Sequence, residues 1–416
     1  MRYYIKCLPG ITIITCWIFF MILILLTRGS VITEIFFCDI RDTYMDFFNS
    51  VYDVSMRRPY ELGVIYPPLC YIIFYLFNRF VPEEIIDAQW YISPGGNVIR
   101  ATQGGQFALF IYLTFIIIFI FSIICIYLRK KNMLIKISGI VSIFLSIPFL
   151  YSIERGNIIL YSFAGALFFC LFFNSKNKIV KEMALIALAF SAGIKIYPAI
   201  LGLLLLLERR YRDAFRCIIY GVCFFFLPFI FFGGVNEVLN LIDSIQQSSN
   251  YFGNTYGGVG YKINFGNTLK IYEALFGIKT INTNIIVGII SSALFFLSIF
   301  QKTTWKRIAM LVLIIIGTPT FSYNYTSIFL IIPWIILFNN NKYNRMNRYY
   351  FILITIVLLP IPLGVIQIDS EWPLTGNTLL VSTIVLLLAF SFIVETIVIY
   401  VKGIKNRRRK WYGSIN

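Results

Sequence analysis

The chain contains no histidine among its 416 residues. That absence removes imidazole bases, imidazole metal ligands and every Ser-His or Cys-His pair. Cys7, Cys16, Cys38, Cys70, Cys125, Cys170, Cys217 and Cys223 form no C-x-x-C pair and no ligand spacing. Most stand in apolar runs and read as small buried hydrophobes. No G-x-G-x-x-G is present to cradle a nucleotide diphosphate. Charge is scarce as well: 13% of residues carry it, against about 25% in a soluble domain. With 59% hydrophobic residues and a mean hydropathy of +0.79, the chain is neither an ordinary soluble enzyme nor disordered. Acids are rarer still, 19 against 36 basic residues, for a net charge of +17. In a soluble protein that excess would suggest nucleic acid. Here the positions of the charges argue for membrane orientation, and no nucleic-acid partner is expected.

What the chain does have is apolar length. Blocks fall near 8–27, 64–81, 106–128, 133–152, 157–174, 183–207, 215–235, 283–300, 307–321, 324–338, 349–366 and 378–401. At about 20 residues per crossing they predict an all-α integral membrane protein of about 10–13 spans. No fixed-period repeat or flexible linker divides it, so 1–416 reads as a single polytopic domain. The first block follows Arg2 and Lys6, lacks an A-x-A-like cleavage site and reads as a retained helix. Most of the basic residues cluster at 2–6, 129–136, 176–181, 209–216, 302–307, 342–348 and in the tail 402–416. The positive-inside rule makes these segments cytoplasmic, with both termini, in a cell membrane. The loops 28–63 and 236–282 are then extracytoplasmic, and binding residues favour long loops of this kind. Two blocks strain the alternation. The block 183–207 lies between basic loops, and Lys195 and Pro198 interrupt it, which predicts two half-helices meeting at an outward corner. The block 64–81 either re-enters or has one flanking loop that breaks the rule.

Four polar signals stand out. In the first outer loop Phe37, Ile40, Tyr44, Phe48 and Val51 recur at helical spacing, with Asp39, Asp42, Asp46 and Asp53 on another face. This predicts an interfacial amphipathic helix whose acids are either a solvated face or a source of a carboxylate base. Ser152-Ile153-Glu154-Arg155-Gly156-Asn157 and Lys195 put ionisable groups at membrane depth. Such groups either snorkel or mark a site, and two cations near the outer leaflet would suit a phosphate headgroup. Thr318-Pro319-Thr320-Phe321-Ser322-Tyr323-Asn324-Tyr325 is a polar turn between apolar blocks.

Together these residues resemble the GT-C membrane glycosyltransferases, most nearly glycosyltransferase family 87. Asp42, Pro59-Tyr60 and Tyr66-Pro67-Pro68-Leu69 resemble the family's first loop. Arg155-Gly156-Asn157 resembles its R/G-Q/G-N turn, and Lys195-Ile196-Tyr197-Pro198 its K-x-x-P element. Asn267-Thr268-Leu269 resembles its N-Q-S-L element. Ser322-Tyr323-Asn324-Tyr325 resembles its S-W-x-H-H turn, with Tyr323, Asn324 and Tyr325 in place of the aromatic and paired histidines. The RGN and KIYP elements also resemble the glycosylphosphatidylinositol mannosyltransferases of the same superfamily. The resemblance implies transfer of a hexose such as mannose from a polyprenyl-phosphate donor to a lipid- or glycan-bound acceptor on the extracytoplasmic face. It implies inverting displacement with Asp42 as base, Asp39 and Asp46 being rivals for that role. Arg155 and Lys195 would face the donor phosphate. Tyr44, Tyr66, Asn157, Tyr197, Asn267, Ser322, Tyr323 and Asn324 would line the pocket. No cofactor is required, although a pair of aspartates could hold Mg²⁺. Two other functions share these features: a flippase for a lipid-linked sugar, and a polysaccharide polymerase using Lys262, Lys270 and Lys279. A flippase would be expected to show repeat symmetry.

Overall fold

The computed structural model describes residues 2–37, 39–55, 59–82, 95–234, 236–254, 260–277, 282–340, 344–367 and 373–413. Cys38, Ser93, Pro94, Lys279 and Lys342 lie outside the described residues. Helix dominates what is described; the strands Val365–Ile366 and Leu374–Thr375 pair antiparallel. Among the described residues, five helices are long and apolar enough to cross a bilayer: Lys6–Leu26, Gln103–Tyr127, Tyr211–Phe232, Thr283–Phe300 and Gly376–Lys402. A sixth candidate is the pair Met133–Phe144 and Ile147–Glu154, bent by 45°. The break falls where Pro148 opens the second helix, a position that needs no N–H donor. The protein is therefore an all-α, multi-pass membrane protein.

The remaining apolar blocks form shorter helices, for a visible reason. Every residue from Leu311 to Ile316 within Thr304–Gly317 is 9% exposed or less, and Ile159–Phe172 is buried on nearly all sides. A helix apolar all round and walled by protein need not match the bilayer thickness. Lipid instead meets the long helices, whose Phe110, Phe115 and Ile118 point outward. Close packing between helices relies on small residues. A Cβ on Gly165 would lie 2.5 Å from the Ala187 carbonyl oxygen. One turn away, Ser191 Oγ donates to the Ser162 carbonyl at 2.6 Å. This is the small-residue and hydroxyl packing expected where helices associate in lipid.

The first outer loop departs from the single amphipathic helix the spacing predicts. A 3₁₀ turn, Ile40–Asp42, is followed by Tyr44 in the left-handed region (φ 63°), and the α-helix begins only at Met45, running to Ser55. Asp39 and Asp42 are therefore off that helix. The helix is also not laid on the surface: Phe47, Phe48, Val51 and Val54 are buried in the main core.

Contacts sort the loops into two sets. The basic loops touch one another: Lys131 Nζ donates to the Asn339 carbonyl at 2.8 Å, Arg210 to the Phe173 carbonyl at 2.8 Å, and Lys181 pairs with Asp213 at 3.4 Å. The other set gathers 28–63 with the turns after Glu154, around 261 and around 324. Arg100 donates to the Arg41 carbonyl, and the Gly96 amide to Asn49. The segment 95–100 thus belongs to this second set, as does Tyr66 at the start of the helix Pro68–Asn78. That helix has 11 residues, about 16 Å of rise against a core of about 30 Å. Its first flank, at Tyr66, and the segment 95–100 lie with the same loops.

Candidate active site

Asp39 caps the turn Ile40–Asp42 by accepting from the Arg41 amide at 2.9 Å. Its carboxylate also forks with the Arg41 guanidinium, at 3.0 and 2.9 Å. It is spent on a local, largely exposed pair. The chain then turns sharply because the Tyr44 amide donates to the Glu154 carbonyl at 2.7 Å. This long-range bond holds the loop against the turn at Gly156, which is itself left-handed at φ 62°. A Cβ on Gly156 would stand 2.9 Å from the Phe47 Cβ, so glycine suits both the backbone angle and the close approach.

Around that junction the charges meet. Arg155 Nη1 donates to Asp42 Oδ2 at 2.5 Å and to the Asp42 carbonyl at 3.1 Å. Nη2 donates to Asp46 Oδ1 at 2.7 Å, and Nε lies 3.5 Å from Asp46 Oδ2. Asp46 is held a third time by Asn157 Nδ2 at 2.7 Å. The Phe37 ring covers the guanidinium, its centroid 4.7 Å from Arg155 Cζ. Of the two carboxylates Asp42 is the more open, its side chain keeping 36% of its exposure against 21% for Asp46. Burial raises the Asp42 pKa above the usual carboxylate range, against the pull of Arg155.

Asn157 Nδ2 also reaches Tyr66 Oη at 3.5 Å, and Lys195 Nζ sits 4.3 Å from the Tyr66 ring centroid and 5.9 Å from that of Tyr325. Lys195 lies where the helix Lys178–Ile194 gives way to extended backbone, followed by the 3₁₀ segment Tyr197–Gly202. It is 8% exposed, and among the described residues no carboxylate pairs with it. Tyr197 packs edge-on to Phe329 at 5.8 Å, in electrostatic reach of Tyr66 and Tyr325.

The last two motifs lie side by side. The Ile263 amide donates to the Ser322 carbonyl at 2.8 Å, the Asn324 amide to the Tyr261 carbonyl at 3.0 Å, and Lys262 bridges Tyr323. Asn267 supports this segment, its Nδ2 donating to the Lys262 carbonyl at 2.7 Å. The Tyr261 ring lies 4.9 Å from Phe37, which joins this strip to Arg155.

Asp42, Asp46, Arg155, Asn157, Tyr66 and Lys195 thus form one connected cluster. Asp39 stands apart from it. Tyr44 contributes through its backbone, and Asn267 as a brace. Arg155, expected to face a phosphate, has its fork directed at Asp42 and Asp46. Among the described residues no three His, Cys, Asp or Glu side chains gather as metal ligands would. Sequence reasoning read Phe37 only as part of an apolar face and missed Tyr261; the fold brings Phe37 to Arg155 and Tyr261 to Phe37.

A family profile described as Glycosyltransferase family 87 matches residues 65–322, more than half of the chain. The chain belongs to glycosyltransferase family 87. Within this family-87 protein the matched region contains Tyr66, Arg155, Asn157, Lys195, Asn267 and Ser322 and begins after Asp42 and Asp46. The two aspartates are tied to it by their bonds to Arg155 and Asn157. No curated protein and no solved structure matches the chain.

Proposed function

We propose that this glycosyltransferase transfers a hexose such as mannose from a polyprenyl-phosphate donor to a lipid- or glycan-bound acceptor on the extracytoplasmic face of the cell membrane. Asp42 is the base. The observation that carries the reading is the pairing, in one cluster, of a partly open carboxylate with a buried lysine that has no carboxylate within salt-bridge distance among the described residues. An unpaired buried cation is costly, and an arriving anion offsets that cost. A lipid-anchored donor also accounts for a catalytic cluster among membrane loops without a nucleotide-binding motif.

In this mechanism the acceptor hydroxyl gives its proton to the open oxygen of Asp42 as its own oxygen attacks the anomeric carbon. The bond from that carbon to the phosphate oxygen breaks, the electron pair leaves with the polyprenyl phosphate, and the anomeric configuration inverts. Lys195 faces the departing phosphate. Arg155, engaged by Asp42 and Asp46, adds its charge at one remove and aims the Asp42 carboxylate. Charge-assisted contacts of this kind strengthen as charge develops on the leaving group.

Lys195→Gln is expected to lower turnover of a labelled polyprenyl-phosphate hexose by at least about tenfold, with a smaller change in acceptor KM. Unchanged turnover would return Lys195 to a snorkelling residue at a helix break. Sidedness has its own test. Single cysteines placed near Asp42 or Gly156 should react with an impermeant reagent applied to intact cells, and cysteines at 176–181 should not. Labelling of 176–181 from outside would overturn the orientation.

A further inference from the structure

Among the described residues, the buried side-chain oxygens Ser322 Oγ, Asn324 Oδ1 and Asn377 Oδ1 have no hydrogen-bond partner. Their residues are 1%, 3% and 1% exposed. The fold joins the segments that carry them. Asn324 Nδ2 donates to Thr378 Oγ1 at 2.8 Å, and Thr378 Oγ1 shares a hydrogen with Thr375 Oγ1 at 2.8 Å. Thr375 ends the short strand Leu374–Thr375, and Asn377 and Thr378 open the last long helix. Buried oxygens left unsatisfied are unusual in a native fold and cost stability unless something completes them.

The chemistry of the set narrows what does. Its hydrogen-bonding groups are neutral amides and hydroxyls, able to give and to accept, and the bonds that join them involve no carboxylate and no cation. That suits a ligand rich in neutral hydroxyls better than a phosphate, which takes Arg, Lys or clustered N–H donors. The location fits too. The Asn324 amide bonds the Tyr261 carbonyl, and the Phe37 ring lies between Tyr261 and the Arg155 guanidinium, 4.9 Å and 4.7 Å from them. Two aromatic residues, Tyr261 and Phe37, therefore lie between Asn324 and the Arg155 guanidinium. Asn324, Thr375, Asn377 and Thr378 all fall beyond the family match at 65–322.

We propose that Ser322, Asn324, Asn377 and Thr378 form a specificity subsite that hydrogen-bonds the hydroxyls of a neutral pyranose ring. The inference rests on the glycosyltransferase mechanism proposed above. The oxygens are closed to solvent, so the sugar is admitted when a neighbouring side chain rotates away. Tyr323, half-buried, stands between Ser322 and Asn324 in the chain. The ring belongs either to the donor or to the acceptor, and the test separates them.

The test measures thermal unfolding of the full-length protein in detergent, with polyprenyl phosphate, polyprenyl-phosphate hexose or a methyl hexoside. It compares wild type with Ser322→Ala and Asn377→Leu, made singly and together. Removing unpartnered oxygens should leave the ligand-free Tm unchanged or raised. The stabilisation by polyprenyl phosphate should also be unchanged. The extra stabilisation from the hexosyl group should be lost if the ring is the donor's, with donor KM rising about tenfold for two lost hydrogen bonds. Loss confined to the methyl hexoside assigns the subsite to the acceptor. Retention of both sugar effects overturns the proposal, and so does a marked fall in the ligand-free Tm, which would make the oxygens structural. Failure of polyprenyl phosphate to stabilise the wild type would instead count against the donor class, while the hexoside arm still reads the subsite.

Discussion

Asp42→Asn is expected to cut transfer by about 10²–10⁴-fold while the protein still folds and inserts. Asparagine is nearly isosteric and can still accept from Arg155, but it cannot take the acceptor's proton. The loss should therefore fall on turnover rather than on substrate binding. The pH profile carries the same signature. A base works only when ionised, so kcat/KM should fall as pH drops through the Asp42 pKa. Burial places that limb above the ordinary carboxylate range, and Asp42→Asn should abolish the limb. Asp46→Asn is the informative control. Asp46 is clamped by Arg155 and Asn157 and is the less exposed of the two, so its loss should lower stability more than it changes the pH profile. If Asp42→Asn turns over normally while Asp39→Asn or Asp46→Asn is inactive, the base has been misassigned. If all three remain active, there is no aspartate base.

Arg155→Gln should be the most damaging change to the cluster as a whole. It strands two carboxylates beside a buried turn, and breaking one half of a buried pair typically costs about 3–5 kcal/mol. Turnover should fall by at least about tenfold in whatever protein remains folded, since Asp42 loses the fork that aims it. Arg155→Lys should restore part of the stability but little of the geometry, because an ammonium cannot bond Asp42 and both oxygens of Asp46 from one planar group. Equal activity and thermal stability in Arg155→Gln and wild type would remove Arg155 from the account.

Much of this was legible in the chain because it depends on residues that announce themselves. An arginine beside glycine and asparagine within apolar sequence, and a lysine three residues before a proline, are costly in lipid unless the fold uses them. The structure places Arg155, Asn157 and Lys195 in one cluster and ends a helix at Ile194. Spacing misled where a distant contact overrides a local pattern. The ladder from Phe37 to Val51 reads as one helix, yet the Tyr44 amide bonds the Glu154 carbonyl, 110 residues away in the chain, and starts the helix at Met45. Nothing local to Tyr44 encodes that bond. Helix length was similarly hidden. An apolar run looks the same whether lipid or protein surrounds it, so Thr304–Gly317 reads like a span although protein encloses it. The place of 95–100 beside Arg41 and Asn49 is likewise a tertiary fact that no local pattern encodes.

The central claim is that the chain itself moves a sugar from a lipid phosphate. The most direct measurement incubates the purified full-length protein with a labelled α- or β-linked polyprenyl-phosphate hexose and a lipid or glycan acceptor, and determines the anomeric configuration of the product. The account predicts transfer with inversion, release of polyprenyl phosphate, and loss of both in Asp42→Asn. A product of retained configuration would contradict the single displacement. Consumption only of a nucleotide-linked sugar, or passage of the intact lipid-linked sugar between leaflets without transfer, would contradict the claim itself.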